Sequence, residues 1–286
     1  MSGRSINITL ILSGIVLFLI SFSEAGIAQG KFIGNATLQV VGGNFSDGSH
    51  YASTYVYGGL RYQEQRFNLN LNIPVVFAGN GSFTQVGGIY IPNSHNGEDS
   101  GGMWHNDSTS HGSMMDDENG MMSSLNAGIG DLYLYGSYKV FLQKNVLPEI
   151  SLDSYIKFPT ATSSLNIGTG KFDFNIAVSL RKTFNKFLFY TQLGYLFVGK
   201  TEGSDVVNPV TFSIGIGAYL GKGNHALFAG YDSYSTIVNG FASPKQFALG
   251  YSYIVSPTLS YNFITSFGLN NSTSDFSLSG GINFGI

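Results

Sequence analysis

Between Gly128 and Phe184, apolar and polar residues alternate along three segments of strand length. In the first, Leu132, Leu134, Tyr138 and Val140 share one face, and Asp131, Ser137 and Lys139 the other. In the second, Ile150, Leu152, Ile156 and Phe158 oppose Ser151, Asp153 and Lys157. In the third, Phe172, Phe174, Ile176, Val178 and Leu180 oppose Lys171, Asp173, Asn175, Ser179 and Arg181. A period of two marks a strand with unlike faces. Here the apolar face is continuous and partly aromatic, while the other carries full charges. A barrel that turns its apolar face to lipid and its charges to an enclosed lumen fits this pattern.

The same alternation predicts strands near 32–45, 51–63, 66–78, 128–141, 149–162, 171–184, 187–200, 210–222, 225–238, 245–256, 258–270 and 275–286. Most exceed the roughly 9–11 residues that a tilted strand needs to cross a bilayer. Residues 66–78 alternate most clearly, with Phe67, Leu69, Leu71, Ile73, Val75 and Phe77 against Asn68, Asn70 and Asn72. The phase of 225–238 stays open. The expected fold is all-β: a closed antiparallel transmembrane β-barrel of about 12 strands in up-and-down order, with ten or fourteen also compatible with the boundaries.

Connections alternate in length, with short ones at 64–65, 142–148, 185–186, 223–224 and Pro257, and longer ones at 46–50, 79–127, 163–170, 201–209, 239–244 and 270–274. Short periplasmic turns and longer external loops are the habit of bacterial outer-membrane barrels. The last strand alternates through Phe276, Leu278, Ile282, Phe284 and Ile286. This resembles the C-terminal strand read by the outer-membrane assembly machinery, although it ends on Ile rather than an aromatic residue. Closure would pair that edge with the first strand.

Composition agrees. Only 11% of the 286 residues are charged, against roughly 25% in ordinary soluble domains. No apolar run beyond the N-terminus reaches the length of a spanning helix. A formal net charge of −3 gives no case for nucleic acid, and the absence of Cys excludes a disulfide framework and thiol chemistry. Arg4, the apolar run from Ile8 to Phe22 and the small residues that follow read as a secretory signal. Cleavage after Ala28 or after Ala25 fits equally well; the organisation is then 1–28 signal peptide and 29–286 barrel, with 79–127 its long external loop.

The central stretch resembles a known group of outer-membrane proteins. The residues are Gly128-Ile129-Gly130-Asp131, Tyr138, Lys157-Phe158-Pro159-Thr160, and Gly168-Thr169-Gly170 with Asp173, followed by Gly194-Tyr195 and Gly199. They are similar to the family associated with the meta-pathway of phenol degradation, whose members are also described as transporters. The resemblance covers roughly 50–286 and implies an outer-membrane location and a channel for small, hydrophobic or aromatic solutes. It carries over no binding or catalytic residue. On their own chemistry, Pro159 belongs near a strand end and the 168–170 glycines suit a turn. No helix pattern or Lys-Ser/Thr pair follows them, so they are not a phosphate cradle.

Two groups of residues are candidates for function. Asp131, Lys139, Asp153, Lys157, Asp173 and Arg181 share the inner phase of three consecutive strands. They are candidate lumen residues, able to pair across the wall or to set a transverse field for permeating solutes. Tyr133, Tyr135 and Tyr155 share that phase. The second group lies in 79–127, which holds no Lys or Arg, six acids and the only Trp. His95, Met103, His105, His111, Met114, Met115, Met121 and Met122 supply imidazole and thioether, donors that suit copper or another divalent metal. No fixed ligand spacing accompanies them. A loop of this length can also fold into the mouth and constrict it. Expected partners are outer-membrane lipid, the assembly machinery and small-molecule solutes. The alternative is a surface-exposed structural or metal-capturing barrel without an open pore. An enzyme is not expected, because neither His50 nor His225 sits in a nucleophile motif.

Overall fold

The computed structural model describes residues 30–44, 50–78, 83–86, 89–92, 126–163, 167, 169–200 and 205–286. Among these, the strands are β1 (Lys31–Asn44), β2 (His50–Gln63), β3 (Phe67–Ala78), β4 (Phe83–Val86), β5 (Ile89–Pro92), β6 (Asn126–Ile129), β7 (Leu132–Phe141), β8 (Glu149–Phe158), β9 (Asp173–Phe184), β10 (Phe187–Phe197), β11 (Val210–Leu220), β12 (His225–Tyr234), β13 (Lys245–Ser256), β14 (Leu259–Gly268) and β15 (Phe276–Gly285). Each wall strand pairs antiparallel with its neighbour, and β15 returns to β1 from Ile33↔Gly285 to Gly42↔Phe276. β6 and β7 both pair with β3 and act as one broken strand, so twelve strands close the wall. Closure leaves no unpaired edge, the condition for strands to cross a bilayer.

The faces follow the alternation. On β9, Phe174, Ile176, Val178 and Leu180 are 39–50% exposed, whereas Asp173, Asn175, Ala177 and Ser179 between them are 1–8% exposed. The apolar set therefore lies on the outer skin. On β3, Ile73 and Val75 are exposed outside and Val76 is buried inside. Along β12 the register puts Leu227, Ala229 and Tyr231 outside, and Phe228, Gly230 and Asp232 inside. An inward Phe and an outward Tyr blur the hydropathy pattern there. Phe228 finds room because a Cβ on Gly215 or Gly230 would fall within 2.8 Å of its ring.

Several expected strands stop short. The strand expected over 149–162 ends at Phe158, because Pro159 has no N–H for the ladder and Thr160 N–H turns back to the Phe158 carbonyl at 2.8 Å. Those expected over 187–200 and 225–238 end at Phe197 and Tyr234, where the chain turns inward into connections that pack over the mouth. At the other end, the Asn185-Lys186 turn places Asn185 at φ 51°, which Asn tolerates, and pins Phe184 opposite Phe187.

The break between β6 and β7 is a bulge. β3 pairs Val75 with Ile129 but Asn72 with Tyr133, so one extra residue enters the β7 side. Pro74 sits opposite, and Gly130 N–H donates to its carbonyl at 2.8 Å. The extra residue changes the phase. Ile129 faces out at 51% exposure, while Asp131, two residues on, faces in at 8%.

Candidate functional site

The barrel interior divides into two storeys. At the end bearing the longer connections, β4 and β5 form a hairpin that lies inside the mouth. Val86 and Ile89 are fully buried against Leu196 of the wall and Val198, Val206, Ile237 and Val238 of two neighbouring connections. Tyr90 packs across the barrel on Val41, Tyr55, Val76 and Ile167. Its hydroxyl lies 2.6 Å from that of Tyr57 and donates to Gln39 Oε1 at 2.8 Å. Tyr133 OH donates to the Gln85 carbonyl at 3.2 Å, and Ser274 N–H to the Tyr90 carbonyl at 3.0 Å. The hairpin thus touches the wall on several sides at this end of the lumen. The residues 79–127, expected as one long loop, contain this buried piece, and Asn126 already belongs to β6.

Beside the hairpin lies a closed ionic cluster. Lys157 is fully buried, with its Nζ 2.7 Å from Asp173 and 3.6 Å from Asp131, and it donates to Thr169 Oγ1 at 3.1 Å. Each carboxylate is held in turn: Asp131 accepts from Ala161 N–H at 3.0 Å and Asp173 from Gly199 N–H at 2.9 Å. Thr160 Oγ1 accepts from Leu132 N–H at 2.9 Å and donates to the Gly130 carbonyl at 3.0 Å. A Cβ on Gly199 would lie 2.4 Å from the Phe172 carbonyl oxygen. Of the residues that carried the family resemblance, Gly130, Asp131, Lys157, Thr160, Thr169, Asp173 and Gly199 therefore meet in one clasp. It ties the β6–β7 bulge, the connection after β8, the start of β9 and the end of β10.

Beneath Tyr155 and Tyr234, which pack against the buried hairpin, a chamber of about 690 Å³ runs down to Glu64 and Arg66 at the short-turn end. Lys139 pairs with Glu149 at 3.0 Å. Asp153 accepts from Ser137 at 2.5 Å and from Gln192 at 2.9 Å. Asp232 accepts from Ser213 at 2.6 Å and from Gln246 at 3.2 Å. Arg61 and Arg181 also line this space. Tyr135 and Tyr155 stand 5.6 Å apart, ring centre to ring centre.

The six inner-phase candidates are thus split. Lys139, Asp153 and Arg181 line the chamber. Asp131, Lys157 and Asp173 also face inward but are buried in the clasp, paired across the wall rather than lining the chamber. The connection after β8 folds over them and removes water. Arg61, Tyr190, Gln192 and Asp232 were missed as chamber residues, although the alternation of β2 already sets Arg61 in phase with Tyr55 and Tyr57. The proposed metal donors His95, Met103, His105, His111, Met114, Met115, Met121 and Met122 lie outside the described residues, as do residues 1–28.

The fold and interior define a β-barrel membrane protein. No family model matches the chain, and no curated protein matches it. Among solved structures it is similar to an outer membrane channel from Pseudomonas putida F1, at a TM-score of 0.59 and 12% identity over 93% of this chain and 98% of that one. It is less similar to the NanC porin, at a TM-score of 0.48 and 12% identity over 86% of this chain and 98% of that one. For the CymD monoaromatic hydrocarbon channel the TM-score is 0.42, at 11% identity over 99% of this chain and 94% of that one. The first likeness, at this identity, bears on the fold: a closed twelve-stranded barrel.

Proposed function

We propose that the protein is an outer-membrane channel for passive uptake of small solutes, closed at its external mouth by the 83–92 hairpin. The observation that carries this reading is the chamber: a polar space of about 690 Å³ within a complete wall, reaching the short-turn residues Glu64 and Arg66 and bordered at its other end by Tyr155 and Tyr234, which pack against the buried hairpin. A structural barrel has no need of such a space. The fold shared with an outer membrane channel supports the location, and the sequence resemblance to a transporter family supports the role. The tyrosines of the chamber offer ring faces to aromatic solutes, whereas its charges disfavour a bare hydrocarbon.

The seating of the hairpin favours a second reading, a barrel without an open pore that presents its long loop for structure or metal capture. Conductance separates the two. The full chain and a variant with 83–92 replaced by a Gly-Ser linker of equal length are placed in planar bilayers. A channel gives current in the variant well above that of the parent. Silence from both, with correct insertion, would end the channel reading. Titration of the full chain with Cu(I), Cu(II) and Zn(II), against a variant with the loop His and Met changed to Ala, tests metal capture separately.

A further inference from the structure

We propose that the chamber is a binding site for small aromatic carboxylates, with Arg61 and Arg181 as the groups that meet the carboxylate. The proposal deepens the channel reading and depends on it only for how the solute arrives. Its basis is an imbalance in the use of hydrogen-bonding capacity. Every acid of the chamber is already engaged: Glu149 by Lys139, Asp153 by Ser137 and Gln192, Asp232 by Ser213 and Gln246, and Glu64 by the Tyr62 hydroxyl. Two of the four cations are engaged as well, Lys139 by Glu149 and Arg66 by the carbonyls of Lys139 and Val140 at 3.0 and 3.1 Å.

Arg61 and Arg181 are different. Among the described residues, no carboxylate lies within ion-pair distance of either. Arg61 is half-buried, and its Nε has no acceptor among the described residues. Arg181 is exposed to the chamber. A guanidinium presents five donors in a planar fork, which a carboxylate satisfies two at a time. A desolvated cation without a partner costs free energy that an arriving anion recovers. Each acid already has at least one partner and so offers a cation less.

The ring half of the ligand follows from what stands beside these cations. Arg181 has two direct cross-strand neighbours, Tyr190 on β10 and Glu149 on β8, the latter taken up by Lys139. Tyr135 and Tyr155 form a tilted pair on the same chamber wall, and the Tyr155 hydroxyl has no partner among the described residues. A flat ring against Tyr190 lies beside Arg181, while Tyr135 and Arg61 flank Asn70 from its two neighbouring strands. A chamber of about 690 Å³ lies within the roughly 300–1,000 Å³ usual for small-molecule sites.

The test uses the full chain in detergent, with benzoate as probe and benzyl alcohol as its uncharged counterpart, followed by calorimetric titration. Benzoate is expected to bind more tightly than benzyl alcohol. The double variant Arg61→Gln, Arg181→Gln is expected to weaken benzoate at least tenfold and to leave benzyl alcohol unchanged. Retention of the heat-dependent gel shift of a folded barrel confirms that the variant is intact. If the double variant does not fold, Arg181→Gln alone is used, with a loss of at least threefold expected. Equal binding of both probes, no binding of benzoate, or benzoate binding unaffected by the arginine changes overturns the proposal. Benzoate binding with no conductance in any form would sink the channel reading and leave this site standing. Conductance without benzoate binding would do the reverse.

Discussion

Lys157 and Arg181 are cations on the inner faces of adjacent strands, β8 and β9, yet their surroundings differ completely. Lys157 is fully buried, with two carboxylates and a hydroxyl around its ammonium. Arg181 lies open to the chamber and meets no carboxylate. The upper storey of the barrel spends its polar groups on its own architecture. The lower storey leaves some of its groups free for something that enters. Position along the strand, rather than residue type, decides between the two. Near the long connections, backbone folds over the wall and buries it; near the short turns the inner side chains line the chamber.

The largest expected effect belongs to the clasp. Changing Lys157→Met leaves Asp173 and Asp131 buried without their cation. Breaking a buried pair from one side typically costs about 3–5 kcal/mol. Thermal or denaturant unfolding, read by the gel shift of the folded barrel, should show a loss of that size. A loss below about 1 kcal/mol would mean that the clasp is not what holds the loop end together. A Lys157→Met, Asp173→Leu double variant should recover part of the loss, because the stranded charge goes with its partner.

Next comes the bulge that turns Asp131 inward. A Cβ on Gly130 would lie 2.7 Å from Pro74 Cγ and 3.1 Å from Val76 Cγ2. The proline ring gives little, so Gly130→Ala should cost about 1–3 kcal/mol, the usual range for overpacking. The same unfolding measurement checks it. Gly136→Ala is the control on the same wall strand, since a Cβ there meets nothing closer than 3.5 Å; equal behaviour of the two variants would show that the bulge is not tightly specified.

A smaller effect is expected at the plug. Tyr90→Phe removes the hydroxyl that meets Tyr57 and Gln39 while keeping the ring on Val41 and Val76. Losing these bonds in a buried site costs about 1–2 kcal/mol. If the hairpin leaves as a unit, its open fraction rises roughly 5–30-fold. Open probability in planar bilayers reads this directly. No change would place the hold of the hairpin in Val86 and Ile89 instead.

How far the sequence alone revealed these two storeys follows from the same physics. The wall was legible because a lipid-facing strand must show apolar residues at every second position, as β3 and β9 do. Strand ends were less so, since alternation can run on past the last ladder bond, as it does beyond Phe158. The phase change at Gly130 left only a weak trace, a glycine opposite a proline one strand away. The hairpin had a signal that was not used: two short strand-prone runs, Phe83-Thr84-Gln85-Val86 and Ile89-Tyr90-Ile91-Pro92, separated by Gly87-Gly88, a pair suited to a tight turn. The split among the six inner charges had none. Alternation says which side of the wall a residue faces, but not whether a distant connection will later cover it.

The smallest effect is the sharpest test of the comparison. Arg181→Gln should change stability by no more than about 0.5 kcal/mol, the range of surface substitutions that break no contact. The residue is exposed and has no carboxylate to strand. Its influence on permeating ions should persist nonetheless. With the hairpin replaced by a linker, the chamber holds Arg61 and the hydrogen-bonded Asp153 and Asp232, and removing one free cation tilts its field towards the acids. The reversal potential in a salt gradient should therefore shift in the direction of cation selectivity relative to the same linker variant with Arg181 intact. A stability loss comparable to that of Lys157→Met would mean that Arg181 is as structurally committed as its neighbour on β8. The division of the interior into a built storey and a free one would then be wrong at its most exposed point.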